Sequence, residues 1–358
     1  MNKSFKKRVQ QFWEAFTKEE GQIRDMMDNK AEGETLLNFV NSILQIAFTE
    51  VYFEMGVNKE DKYELILTPE GDHIRLLQLY YWQQQSPAEL SEKWNFYSSK
   101  PNSSNSNWRM EMYGVSIDRD DITLYAEIDN ERRKFNLEIY CTKLMSLDEN
   151  KRFSMFFIFL DQMISELYTM EYIGYIDFVE TELDKEPIKI NELKAYIDDT
   201  IEKNEWSTYT NPYEIFHAYQ MTPSEAENWT LREDIAMGYT SCTGVLNAFY
   251  KNDEEVINKY KDDGVVFGFL FVNNTHIPRE NVVNFRAEIE DLIIEKTAQS
   301  GIAYCLGGAT GFHFSYIDLI IFDFDAFIDI IKEVIPLNKY EEFGYSDFVS
   351  NSTPIMLS

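Results

Sequence analysis

Leu306-Gly307-Gly308-Ala309-Thr310-Gly311-Phe312-His313-Phe314-Ser315-Tyr316-Ile317-Asp318 is the stretch that decides the fold class of this chain. Gly307, Gly308 and Gly311 give the backbone freedom for φ > 0 and for close approach of another group. A phosphate cradle would next open a helix, whose first N–H groups face the anion. Here the following residues alternate instead. Phe312, Phe314, Tyr316 and Asp318 recur with the two-residue period of a strand. Neither the GxGxxG spacing nor Gly-Lys-Ser/Thr is present. The stretch therefore reads as a glycine-rich hairpin turn joining a short strand, Ile302–Leu306, to a long one, Phe312–Phe322.

Outward from this hairpin the period switches repeatedly between two and 3.6. Val265–Val272 is an apolar strand, and Pro278-Arg279-Glu280 opens a helix through Val282, Phe285, Ile289, Leu292 and Ile293. A further helix covers Ala326–Ile335. The order βαββα is part of a ferredoxin-like pattern. Upstream, Phe5, Val9, Phe12, Trp13, Phe16 and Ile23 mark an amphipathic helix, and Leu36, Val40, Ile43 and Leu44 mark a second. Strands at 51–55 and 63–67 follow, then the turn Pro69-Glu70-Gly71-Asp72 and a helix through Ile74, Leu77 and Tyr81. A polar run at 100–107 precedes a hairpin whose strands carry Ile122 to Ile128 and Phe135 to Cys141. One long helix through Phe153, Phe157, Leu160, Ile164 and Leu167 leads to a strand at 172–179. Residues 180–187 are charged and aperiodic, so the expected boundary lies there, with an N-terminal α+β domain at 1–180 and a C-terminal one at 188–358. Each is expected to be a mainly antiparallel sheet packed with helices. The helix through Ile190, Leu193, Ile197 and Ile201 belongs to the linker or opens the second domain. Residues 211–250 show no clear period. Tyr175-Ile176-Asp177 and Tyr316-Ile317-Asp318 match, but a tripeptide is a poor sign of duplication.

Composition narrows the function. The chain has 358 residues, 62 acidic against 33 basic, and a formal charge of −29. With 44% hydrophobic and 15% aromatic residues it has ample material for a core. So acidic a chain is ill suited to phosphate backbones or anionic membranes, and attracts basic partners. Lys3, Lys6, Lys7 and Arg8 imitate the start of a secretory leader, but Glu14, Lys18, Glu19 and Glu20 break the apolar run that would follow. Three scattered cysteines, with no CxxC, suit a reducing cytoplasm, the expected location.

Few residues suggest chemistry. His313 and Asp318 beside the glycines offer an acid–base pair. Five positions apart on a strand, however, they face opposite sides. Asp318, Asp323, Asp325 and Asp329 are hard oxygen donors, yet Asp323 and Asp325 sit where aspartates cap helices, and neither a metal nor a cofactor is expected. Cys242 is a potential nucleophile near His217, though a buried structural thiol is the preferred reading. Trp229 and Arg232 are residue types favoured at interfaces. With Gly307, Gly308 and Gly311 they make up the candidate binding residues.

Phe12-Trp13-Glu14-Ala15-Phe16, Phe53-Glu54-Met55-Gly56 and Leu65-Ile66-Leu67-Thr68-Pro69-Glu70-Gly71-Asp72 resemble an N-terminal module of uncharacterised bacterial α+β proteins. The Gly-Gly-Ala-Thr-Gly and Tyr-Ile-Asp of Gly307–Asp323 resemble part of the C-terminal module of such proteins. The resemblance implies no activity. Some acidic α+β proteins of similar look are immunity proteins that neutralise toxins. The function expected is therefore a non-enzymatic, immunity-like or inhibitor-like binder of a basic protein. The alternative is a hydrolase or transferase using His313 and Asp318 within Gly307–Asp318.

Overall fold

A computed structural model describes residues 3–29, 32–102, 108–208, 210–224, 229–350 and 352–358. Part of the polar run, 103–107, lies outside the described residues. The chain opens with helices α1 (Phe5–Asp28) and α2 (Gly33–Leu44), strands β1 (Tyr52–Val57) and β2 (Tyr63–Thr68), helix α3 (His73–Gln84) and strand β3 (Trp94–Tyr97). Then come β4 (Arg109–Met112), β5 (Val115–Asp118), β6 (Thr123–Asp129), β7 (Lys134–Tyr140), α4 (Glu149–Ile164), α5 (Glu166–Tyr172), β8 (Ile173–Phe178), β9 (Ile188–Lys189) and α6 (Leu193–Lys203). The last part holds β10 (His217–Gln220), β11 (Ile235–Thr240), α7 (Thr243–Lys251), α8 (Glu254–Lys261), β12 (Val266–Asn273), α9 (Val282–Ser300), β13 (Ala303–Gly311), β14 (Phe314–Ile321), α10 (Phe324–Val334), β15 (Phe343–Asp347) and β16 (Ile355–Met356).

The fold is α+β. Its largest sheet runs β10-β11-β13-β14-β12-β15-β16, with every neighbouring pair antiparallel. Inside it, β12-α9-β13-β14-α10-β15 supplies the order β13-β14-β12-β15, which completes the ferredoxin-like pattern with a strand the sequence reading had not placed. The apolar run of β12 has a simple cause. Phe267, Phe269 and Phe271 face one core, while Leu270 and Val272 face another beneath α9 and α10. A sheet covered on both faces needs apolar residues at both parities.

The cores group the chain differently from the expected halves. The first core joins Phe5, Phe12, Trp13, Phe16, Leu65, Trp82 and Phe96 to Tyr213, Phe267, Tyr316 and Phe348. Helix α1 is bound directly to the large sheet region, since Phe5 N–H donates to Gly264 O and Lys6 N–H to Phe322 O. A buried ion pair, Arg75 to Asp263 at 2.9 Å, locks α3 to the same region. Residues 110–201 hold a separate core of their own. It contains the sheet β8-β7-β6-β9 and Leu193, Ile197 and Ile201, so α6 packs with the segment before residue 180 rather than the one after it. The matched tripeptides occupy unlike places. Tyr175–Asp177 lies on an edge strand paired in parallel with β7, and Tyr316–Asp318 on a central antiparallel strand.

Two local corrections bear on the sites. First, the glycines are not the hairpin turn. Strand β13 runs through Gly311, and the turn is Phe312-His313. Gly307 has φ +135° at a register shift, and a Cβ there would lie 2.1 Å from Tyr239 O. Glycine is thus required by the close approach of β11. Second, the long helix of 153–167 is broken. Ser165, at φ +82° and ψ 149°, separates α4 from α5. That backbone region is almost exclusively glycine's.

Candidate functional site

The structure brings Arg232, Asp318 and Gly311 into one interior clasp, with Trp229 and His313 stacked at its outer end. Arg232 is wholly buried, with φ +75°. Its guanidinium holds both oxygens of Asp318, Nη1 to Oδ1 at 2.5 Å and Nη2 to Oδ2 at 3.2 Å, and Nη2 also reaches the Tyr219 hydroxyl. Rings of Phe348, Phe269, Tyr316 and Phe249 surround it at 4.7 to 5.8 Å. Asp234, two residues on, ties down the hairpin. Its Oδ2 accepts from His313 N–H (2.9 Å) and Phe314 N–H (3.0 Å), and its Oδ1 from the Tyr316 hydroxyl (2.5 Å). Gly311 leaves room for this carboxylate, since a Cβ there would lie 2.2 Å from Asp234 Oδ2. Gly308 packs its backbone against Tyr316 O and Arg286.

His313 and Asp318 are not joined in this clasp. His313 is exposed in the turn and stacks under Trp229, centroids 4.8 Å apart, whereas Asp318 is consumed by Arg232. Cys242 is buried, and burial pushes its thiol up to about 12, so it is protonated at neutral pH. His217 lies exposed on β10. Asp323 caps α10, accepting from Ala326 N–H and from the Ser4 hydroxyl. Among the described residues no group of three or more His, Cys, Asp or Glu is placed to hold a metal, and no helix is long and apolar enough to cross a membrane.

A second constellation was not singled out from sequence. It lines a cavity of about 500 Å³ between the β2–α3 turn, the segment after β3, and helices α4 and α5. Glu166, the first residue of α5, is 2% exposed. Its Oε1 accepts from the Thr68 hydroxyl (2.7 Å) and Glu70 N–H (3.0 Å), and its Oε2 from Lys100 N–H (2.9 Å). Asp161, near the end of α4, also lines the cavity, and its Oδ1 is shut off from solvent with no hydrogen-bond partner. Burial raises its pKa to about 7, opposed by the Thr169 hydroxyl beside the carboxyl and by Lys100 and reinforced by the charges of Glu166 and Glu70. Lys100 is occupied by Glu54 at 2.7 Å. His73 stands more exposed at the rim, with its imidazole pushed toward the neutral form by partial desolvation and then by the charges of Lys134 and His217. Phe157, Ile158, Met170 and Ile173 form an apolar wall. One signal was available in the sequence. Asp161 continues the Phe153–Phe157 column at i+4, a carboxylate in an apolar stripe.

Comparison of the chain with protein-family models, curated proteins and solved structures finds no match.

Proposed function

We propose that this protein is a non-enzymatic binding protein that captures a basic protein partner, in the manner of an inhibitor or immunity protein. The observation that carries the reading is the outward face of the sheet β8-β7-β6-β9. Its other face is filled by the core under α4 and α6. The pairing of Tyr125 with Glu138, and of Glu138 with Asp177, sets these side chains on one face. Glu127, two residues from Tyr125, joins them. Glu127 and Asp177 are exposed, Tyr175 is 57% exposed, and the adjoining Glu180, Glu182, Asp184 and Glu186 are exposed too. Lys185 pairs with Glu138, and Lys189 and Lys134 stand on the same face, so its acidic groups still outnumber its basic ones. A surface that is both acidic and tyrosine-bearing suits electrostatic steering followed by aromatic contact. A catalytic site at Gly307–Asp318 would require Asp318 to leave Arg232, and nothing in the clasp favours that.

Capture from lysate at low and moderate salt tests the reading, with the native chain beside an E127Q/D177N/E182Q/D184N variant. A basic protein held by the native chain, released as salt rises and not held by the folded variant, supports it. Equal capture by the variant refutes it.

A further inference from the structure

The cavity at Asp161 is independent of that sheet face, and it has the makings of a small-molecule site. Its volume falls in the range of ligand pockets, and it combines an apolar wall with a few converging polar groups. We propose that it binds a small amphiphilic amine. The ammonium pairs with the Asp161 carboxylate, and the hydrocarbon body lies against Phe157, Ile158, Met170 and Ile173.

Three observations lead to this chemistry. Asp161 Oδ1 is a buried acceptor without a donor, and such a group costs free energy until one arrives. Glu166 cannot serve it, being an acceptor already filled by three protein donors. The charges facing Asp161 decide the sign of the ligand. From α5 comes Glu166, from the β2–α3 turn Glu70, and from the segment after β3 Lys100, whose ammonium is taken by Glu54. His73 at the rim is disfavoured as a cation. Carboxylates thus outnumber free cations at the head of the cavity, and a cation is the missing partner. Phe157 is 40% exposed on the same helix as Asp161, leaving apolar surface for the ligand's body to cover.

Calorimetric titration of the full chain with hexylammonium tests this, with hexan-1-ol and hexanoate as neutral and anionic isosteres. The native chain should bind hexylammonium at pH 8 and prefer it to both isosteres. Affinity should fall about tenfold at pH 6, where Asp161 takes up a proton before the ligand can bind. D161N should weaken hexylammonium at least tenfold at pH 8 and leave hexan-1-ol unchanged. F157A should weaken all three ligands, and it reports on the cavity wall without touching the carboxylate. Binding of hexan-1-ol or hexanoate as tight as that of hexylammonium would overturn the amine assignment. So would an affinity indifferent to D161N and to pH, or the absence of hexylammonium binding at millimolar concentration.

Discussion

Replacing Arg232 by Met keeps the length of the side chain and removes its charge, leaving Asp318 in the interior alone. The pair is almost fully enclosed, with side-chain exposures of 0% and 2%, and among the described residues Arg232 donates to both oxygens of Asp318. Taking one partner from such a pair costs about 3–5 kcal/mol, because the remaining charge is buried without compensation. With a urea m-value near 3 kcal/mol/M, the midpoint should fall by about 1 to 1.7 M. The double variant R232M/D318L removes both charges and should recover most of that loss, since well-packed apolar replacements of buried pairs are often neutral. Urea titrations followed by tryptophan fluorescence measure both, Trp229 reporting on the same end of the sheet. A single variant that loses under about 1 kcal/mol, or a double variant as unstable as the single one, would refute the reading of Arg232 and Asp318 as a mutually dependent interior pair.

Three further outcomes are expected. Gly311→Ala should lose about 2–3 kcal/mol in the same titration, because its Cβ displaces the Asp234 carboxylate from two backbone donors, while Gly33→Ala, with open space around it, should change little. Ser165→Gly should gain about 1 kcal/mol, as relief of a glycine-type conformation exceeds the lost cap to Tyr168 N–H and the added chain entropy; a measured loss would show that the strain is not there. Asp161 has its folded pKa raised to about 7 from an ordinary 3.8, so the folded state binds the extra proton between those values. The stability that Asp161 contributes should therefore decline by about 2 kcal/mol as pH rises from 5 to 7 and level off above, so the difference between native and D161N denaturation curves should change by that amount across this range.

Local pattern carried much of the architecture. The period-two alternation of β2, β6, β7 and β14, and the apolar stripes of α1, α3 and α9, were legible because each element buries one face or both, and burial writes its period into the residues. Some elements were not legible. The parallel partner β3 is short, and its pairing with β2 depends on α3 crossing between them. The break at Ser165 carries no glycine or proline to announce it. The clasp was half visible: Trp229, Arg232, Gly311 and His313 were candidates, but as binding or catalytic residues, since nothing local reveals that Arg232 would be spent on Asp318, 86 positions away.

By itself, then, the sequence determined the α+β class, the acidic character that shapes the proposed partner, and the pairing of β13 and β14 in one hairpin. Those follow from composition and from contacts between near neighbours. The tertiary structure alone decided that α1 and α3 complete the core of the large sheet, and that 110–201 gather around a core of their own. It also placed Asp161 and Glu166 in one cavity between elements far apart in the chain. Long-range burial pairs residues by space rather than by spacing, so neither periodicity nor propensity carries that information.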